Sequence, residues 1–270
     1  MNGSTQMSVS TRSQMPSLFV SHGAPTYALE PGIAGPQLAV FGASLQPKAV
    51  LIMSPHWMTR ELAVSTVALP KTIHDFGGFP EPLYRLQYPA QGSPEFALKA
   101  LELFRAAGVP VVGTDSYGLD HGAWVPMMHM FSKANYPVFQ VSMPSRLNLE
   151  SAYALGAILK PLRDEGVLII GSGSLTHNLY EIERDNPNAA KYVQDFQSWI
   201  RHKVVGADFA ALLKADTQAP DFARAHPSTE HFLPLLFAVG AAGSDEQVSV
   251  LAGGIEHHVL SMESYVFGAA

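Results

Sequence analysis

The chain contains no cysteine. Disulfides, thiolate zinc sites and iron–sulfur clusters are therefore excluded, and any metal site must use His, Asp, Glu or water. Charge is scarce. Only 15% of the 270 residues are Asp, Glu, Lys or Arg, against roughly 25% in an average soluble chain. The net charge of −6 offers nothing basic enough for a nucleic-acid partner. No apolar stretch approaches about 18 residues, so no membrane span is expected. Residues 1–15, MNGSTQMSVSTRSQM, lack the apolar centre of a secretory signal. The expectations are a disordered polar tail over 1–15 and a cytoplasmic protein. No P-loop, dinucleotide-binding glycine pattern, GxSxG elbow or HExxH motif is present.

What the chain does have is apolar mass: 47% hydrophobic residues, suited to a large buried core. Runs at 18–21, 49–54, 62–69, 109–114, 137–143 and 166–173 read as strands. Several are continuously apolar, as strands covered on both faces are. Helical patterns lie between them. Pro94 opens one, with Ala97, Leu101 and Phe104 on one face and Gly108 at its end. Others run over Leu149–Leu162, over 189–204, and over Leu233–Val239, where Gly240 is expected to stop the helix. Two short strands, as an antiparallel edge, are expected near the C-terminus. This alternation predicts an α/β fold: a central, mostly parallel or mixed sheet with helices on both faces. No repeat or linker divides the chain, so residues 16–270 are expected to form a single domain. The long loop 70–92, with Phe76, Phe79, Tyr84, Tyr88, His74, Asp75 and Arg85, is of a length that usually signals function.

Four of the eleven histidines stand where a strand or helix meets a loop: His22 in LFVSHGAP, His56 in AVLIMSPHW, His177 in GSGSLTHN and His231 in HPSTEHFLPLL. Strand ends are where α/β sheets place their sites, and neutral imidazole is the commonest metal ligand. A single strand-end histidine is more often structural; four in similar contexts favour a metal centre. Glu230 adjoins His231, so the residues allow either three histidines or two histidines plus a carboxylate, the latter being the facial triad of non-haem iron oxygenases. His121 follows Asp120, which reads equally well as the cap of a helix over 122–131. His74, His129, His202, His226, His257 and His258 have weaker contexts and read as surface or structural residues.

Taken in order, FVSHGAP, SPHWMTR, TIHDFGGFPEPLY, LDHGAWVPM, GSGSLTHNL and HPSTEHFLPLL resemble the motifs of class III extradiol ring-cleavage dioxygenases, in the DOPA 4,5-dioxygenase-like branch. The resemblance spans about residues 16–267. It implies a mononuclear non-haem metal, normally Fe(II), with Zn able to occupy the site in isolated protein. It also implies a small catechol-type aromatic diol and O₂ as the reacting partners. Carried over by motif, it assigns His22, His56 and His231 to the metal, and His177 and His121 to substrate binding and proton transfer. In the wider class the third ligand is Glu, whereas the matching motif here offers His231 with Glu230 adjacent. Phe76, Tyr84 and Arg85 are the loop residues expected to contact substrate, with Arg60 a further candidate. Two other readings use the same histidines: a zinc-dependent hydrolase and a non-enzymatic metal-binding protein on this fold.

Overall fold

The computed structural model describes residues 14–184 and 186–269. Its strands are β1 (Ser17–Ser21), β2 (Ala49–Thr59), β3 (Leu62–Ser65), β4 (Val111–Thr114), β5 (Val138–Pro144), β6 (Val167–Gly173), β7 (Val248–Leu251), β8 (Ile255–Glu256), β9 (Leu260–Ser261) and β10 (Ser264–Phe267). Eight of these form one mixed sheet in the order β4-β3-β5-β2-β6-β1-β10-β7, while β8 and β9 pair separately. The centre, β5-β2-β6-β1, is parallel. At one side β10 and β7 add antiparallel, the expected C-terminal edge.

Side chains alternate across the sheet, as strand geometry requires. Leu51, Met53 and Ile169 join one apolar cluster. Val50, Ile52, Leu168 and Ile170 join the cluster on the opposite side. On the first side lie α2 (Pro94–Ala106) and α4 (Leu149–Leu159), together with the helix Leu233–Ala241. On the second lie α1 (Ala34–Ala43) and α3 (His121–Met130). No described helix is long and apolar enough to cross a membrane.

Several elements depart from the sequence reading. Residues 1–13 of the expected tail lie outside the described residues. Gln14 and Met15 are already anchored, to Asp164 and to Arg163. The strand expected over 62–69 ends at Ser65; beyond it the backbone bonds the long loop instead, Gly92 N–H donating to Ala68 O. The helix expected over 149–162 breaks at Lys160, because Pro161 has no N–H to continue the ladder. Gly240 does not end its helix, which runs on to Ala241. It lies instead at a close helix–helix approach: a Cβ on Gly240 would stand 1.9 Å from Tyr153 O, and one on Gly156 2.0 Å from Phe237 O.

Candidate active site

The parallel strands β1, β6 and β2 bring three segments to one edge of the sheet. His22 is the first residue after β1, and its N–H donates to Gly173 O at the end of β6 (2.9 Å). His56 does not close β2 as the sequence suggested. The strand runs on to Thr59, and its register against β5 shifts between Met53 and Met58. Such irregularities re-aim side chains, and His56 lies within this one. His231 precedes the helix Leu233–Ala241, and its carbonyl accepts from Ser174 N–H (3.0 Å). Two glycines of β6 admit this segment: a Cβ on Gly173 would stand 2.2 Å from His231 O, and one on Gly171 1.9 Å from Pro234 O.

The three rings face one another. Their centroids are separated by 5.1 Å (His22–His56), 5.4 Å (His22–His231) and 5.2 Å (His56–His231). The hydrogen bonds behind them determine which nitrogen carries the proton. Ser172 Oγ donates to the carbonyl of Gly122, so it accepts from His22 Nδ1 (3.0 Å) and leaves His22 Nε2 bare. Glu230 Oε1 accepts from His231 Nδ1 (3.0 Å), and His231 Nε2 is buried with no partner. His56 Nδ1 lies 3.4 Å from Asp75 Oδ2, and His56 Nε2 is 3.2 Å from His22 Nε2. A ring whose Nδ1 is held by an outer acceptor while Nε2 is free is the arrangement of metal-ligating histidines. Two nitrogens 3.2 Å apart match ligands about 2.1 Å from a common ion and about 100° apart around it.

Burial keeps these imidazoles neutral. It holds His22 and His231 well below the usual histidine range, helped by the neighbouring histidines. It lowers His56 to about 3, with His121 contributing. Neutral rings are the form that binds metal. His121 is also close. Nitrogens of His22, His56 and His121 lie within 4.8 Å of one another, as do ligand atoms of His177, Glu230 and His231. The His56 and His121 centroids are only 3.9 Å apart, tighter than the roughly 4.6–5.3 Å expected of two imidazoles sharing one ion at 90–110°. The rings of His22, His56 and His231 are more widely spaced, with centroids 5.1–5.4 Å apart.

Around this floor opens a cavity of about 730 Å³, lined in part by all five histidines His22, His56, His121, His177 and His231. His177 stacks on His231 with centroids 3.4 Å apart and planes 11° apart. Its N–H donates to Ala225 O (2.8 Å), and burial lowers its pKa to about 4. His121 Nδ1 donates to Asp75 Oδ2 (2.8 Å). Asp120 does cap α3, accepting from Ala123 N–H (3.2 Å). Capping and a place for His121 in the cavity therefore coexist.

The loop residues divide. Phe76 lines the cavity with Phe79. Tyr84 is not in the lining; it packs against Phe76 with centroids 5.2 Å apart. Arg85 is also outside the lining. Its side chain is 74% exposed and pairs with Glu81 one helical turn away, an arrangement that local i,i+4 spacing favours. Arg60 is exposed and outside the lining as well. Glu30, Arg184 and His257 line the cavity, although the sequence suggested no role for the first two and a surface or structural one for His257. His257 adopts φ +49°, a turn conformation without a sequence signature here. Asp75 was visible beside His74, but no spacing rule linked it to residues 56 and 121. His226 is a core residue, its Nε2 donating to Leu175 O (2.9 Å). His129 Nε2 is held by Tyr27 O (2.9 Å) and His74 Nε2 by Leu86 O (3.0 Å).

Known proteins share this arrangement of chain. A family model described as the catalytic LigB subunit of aromatic ring-opening dioxygenase matches residues 34–268. A protein of Beta vulgaris named 4,5-DOPA dioxygenase extradiol is 40% identical over 256 residues, covering 92% of this chain and 95% of that protein. One of the same name from Escherichia coli K12 is 33% identical over 265 residues, covering 96% and 97%. Among solved structures, an uncharacterized protein from Escherichia coli K12 superposes with a TM-score of 0.78 at 28% identity, over 94% of this chain and all of that one.

Proposed function

Because the chain belongs to the family of the catalytic LigB subunit of aromatic ring-opening dioxygenases, we propose that it opens the ring of a catechol-type diol with O₂ at one non-haem metal ion, Fe(II), held by His22, His56 and His231. That the chain is a ring-opening dioxygenase of the extradiol type follows from the family and from relatives covering nearly its whole length. The metal, the ligand set and the substrate are our reading. One observation carries that reading: the outward-held Nδ1 atoms of His22 and His231, with His231 Nε2 buried and unpartnered.

When bound, the metal supplies the chelating and electron-transferring centre at which a diol and O₂ meet. The rest falls to the protein. His177 is neutral at pH 7 because burial lowers its pKa to about 4. Its neutral ring has a lone pair to offer, and its place in the cavity beside His231 assigns it the proton that a diol hydroxyl must give up and a later proton return, as general base and then general acid. His121 donates Nδ1–H to Asp75, so its Nε2 presents a lone pair to a substrate hydroxyl. Phe76 and Phe79 offer an apolar wall to the aromatic ring, with Tyr84 behind Phe76. Glu30 and Arg184 also line the cavity and give a polar substituent of the ring charged groups to meet.

The test is anaerobic reconstitution with Fe(II), followed by oxygen uptake and absorbance with a panel of catechols, DOPA first because of the names of the relatives. Stoichiometric oxygen consumption with a yellow ring-opened product is the expected result. Metal binding without oxygen uptake on any catechol would refute the reading.

A further inference from the structure

Asp75 belongs to the 70–92 loop and to none of the roles assigned above. Its carboxylate nevertheless meets two histidines of the site. Oδ1 accepts from the backbone N–H of His121 and Oδ2 from the His121 ring Nδ1, both at 2.8 Å. The same Oδ2 lies 3.4 Å from His56 Nδ1. The backbone around Asp75 is pinned: Ile73 N–H donates to Leu119 O (2.7 Å), and Trp124 Nε1 donates to Ile73 O (3.0 Å). The carboxylate is thus presented from a fixed position, with only 19% of its side chain exposed.

An ionised carboxylate only accepts hydrogen bonds. His121, hydrogen-bonded to it, must therefore carry its ring proton on Nδ1 and leave Nε2 bare; the charge 3.4 Å from His56 Nδ1 favours the same form there, in competition with the contact between His56 Nε2 and His22 Nε2. We propose that Asp75 is a positioning residue that sets the tautomers of His56 and His121 together, so that seating the 70–92 loop makes both Nε2 lone pairs available to the cavity. The inference rests on the metal and proton roles proposed for those two histidines. It gives the loop a part in the site beyond its aromatic wall.

The substitution Asp75→Asn separates this role from a merely structural one. An amide has one accepting oxygen and one donating nitrogen. With its oxygen on the His121 backbone N–H, its NH₂ faces the ring nitrogens and favours protonation at Nε2, the form that cannot ligate. Asp75→Ala leaves the rings free to choose. The tautomer role thus makes the isosteric Asn the worse variant, whereas a shape-filling role makes Ala the worse one.

Zinc affinity, measured by competition with a chelating dye, should fall about 10- to 100-fold in Asp75→Asn, the usual cost of losing an outer partner of a ligand. It should fall less in Asp75→Ala. Nitrogen-15 NMR of the unsubstituted protein should place the His121 ring proton on Nδ1. Unchanged zinc affinity in Asp75→Asn, a larger loss in Asp75→Ala, or a His121 proton on Nε2 would each overturn the inference. Should Asp75→Asn not fold, the NMR result on the unsubstituted protein decides. None of these measurements needs catechol turnover, so failure of the dioxygenase reading is seen separately, in the oxygen uptake of the iron-loaded protein.

Discussion

His22 Nε2 and His56 Nε2 stand 3.2 Å apart, while behind them Ser172 accepts from His22 Nδ1 and Asp75 Oδ2 lies 3.4 Å from His56 Nδ1. Two lone pairs that face each other repel unless a cation or a proton lies between them. Both rings are held neutral by burial, and a neutral His56 can bridge the gap with its own Nε2 proton, so an ion bound by both Nε2 atoms would have to shift that proton to Nδ1, on the Asp75 side.

The ligand set is tested at His231 and its neighbour. His231→Ala should lose the metal. Glu230→Gln should still fill at saturating metal, with affinity lowered about 10- to 100-fold, because Glu230 only holds the outer nitrogen of His231. Metal content by mass spectrometry after dialysis, with titration of the apo-protein, checks both. A full-strength site in His231→Ala, with none in Glu230→Gln, would make the carboxylate the ligand.

His177→Gln should keep its iron and lose turnover by about 10²- to 10⁴-fold, the usual contribution of a placed acid or base. Iron per chain and oxygen uptake, measured on the same sample, separate the outcomes. Loss of iron would make His177 a ligand; full activity would remove it from the mechanism.

Phe76→Ala should raise the KM for a good catechol roughly 2- to 10-fold, equivalent to an aromatic contact of about 0.5–1.5 kcal/mol, with metal content unchanged. Arg85→Ala should leave KM within error, since its partner is Glu81 at the surface. Steady-state kinetics that gave the opposite ranking would move the substrate from the cavity wall to the loop surface.

Stability should fall as pH drops from about 6.5 towards about 4. Burial among Phe196, Phe222 and Phe232 lowers the pKa of His226 to about 4, whereas an unfolded histidine titrates near 6.5. Between these values the unfolded chain binds a proton that the folded one refuses. The contribution is therefore whole above about pH 6.5 and is lost on acidification, at on the order of 1 kcal/mol per pH unit for one group. Urea unfolding of metal-free protein across pH 4.5–7.5 should show this slope. His226→Gln, which keeps a donor for Leu175 O, should make it shallower; an unaltered slope would place the effect on other groups.

Much of this protein was legible along the chain because the signals are local. Continuous apolar runs such as 166–173 identify strands buried on both faces, and Pro94 marks a helix start whatever packs on it. The motifs around residues 22, 56, 121, 177 and 231 drew attention to five histidines that the fold brings to one cavity. Tertiary structure decided the rest, because it turns on contacts between residues far apart in sequence. Gly240 reads as a helix stop, yet Tyr153 O packed against it makes it a helix contact. Arg85 reads as a loop cation near substrate, yet Glu81 claims it locally. Asp75 reads as one more loop carboxylate, until chain folding sets it 2.8 Å from the ring of residue 121. The protonated nitrogen of each histidine depends on such partners, Ser172, Glu230 and Asp75 among them. Residue type supplies the imidazole; the fold selects which of its two nitrogens faces the cavity with a lone pair.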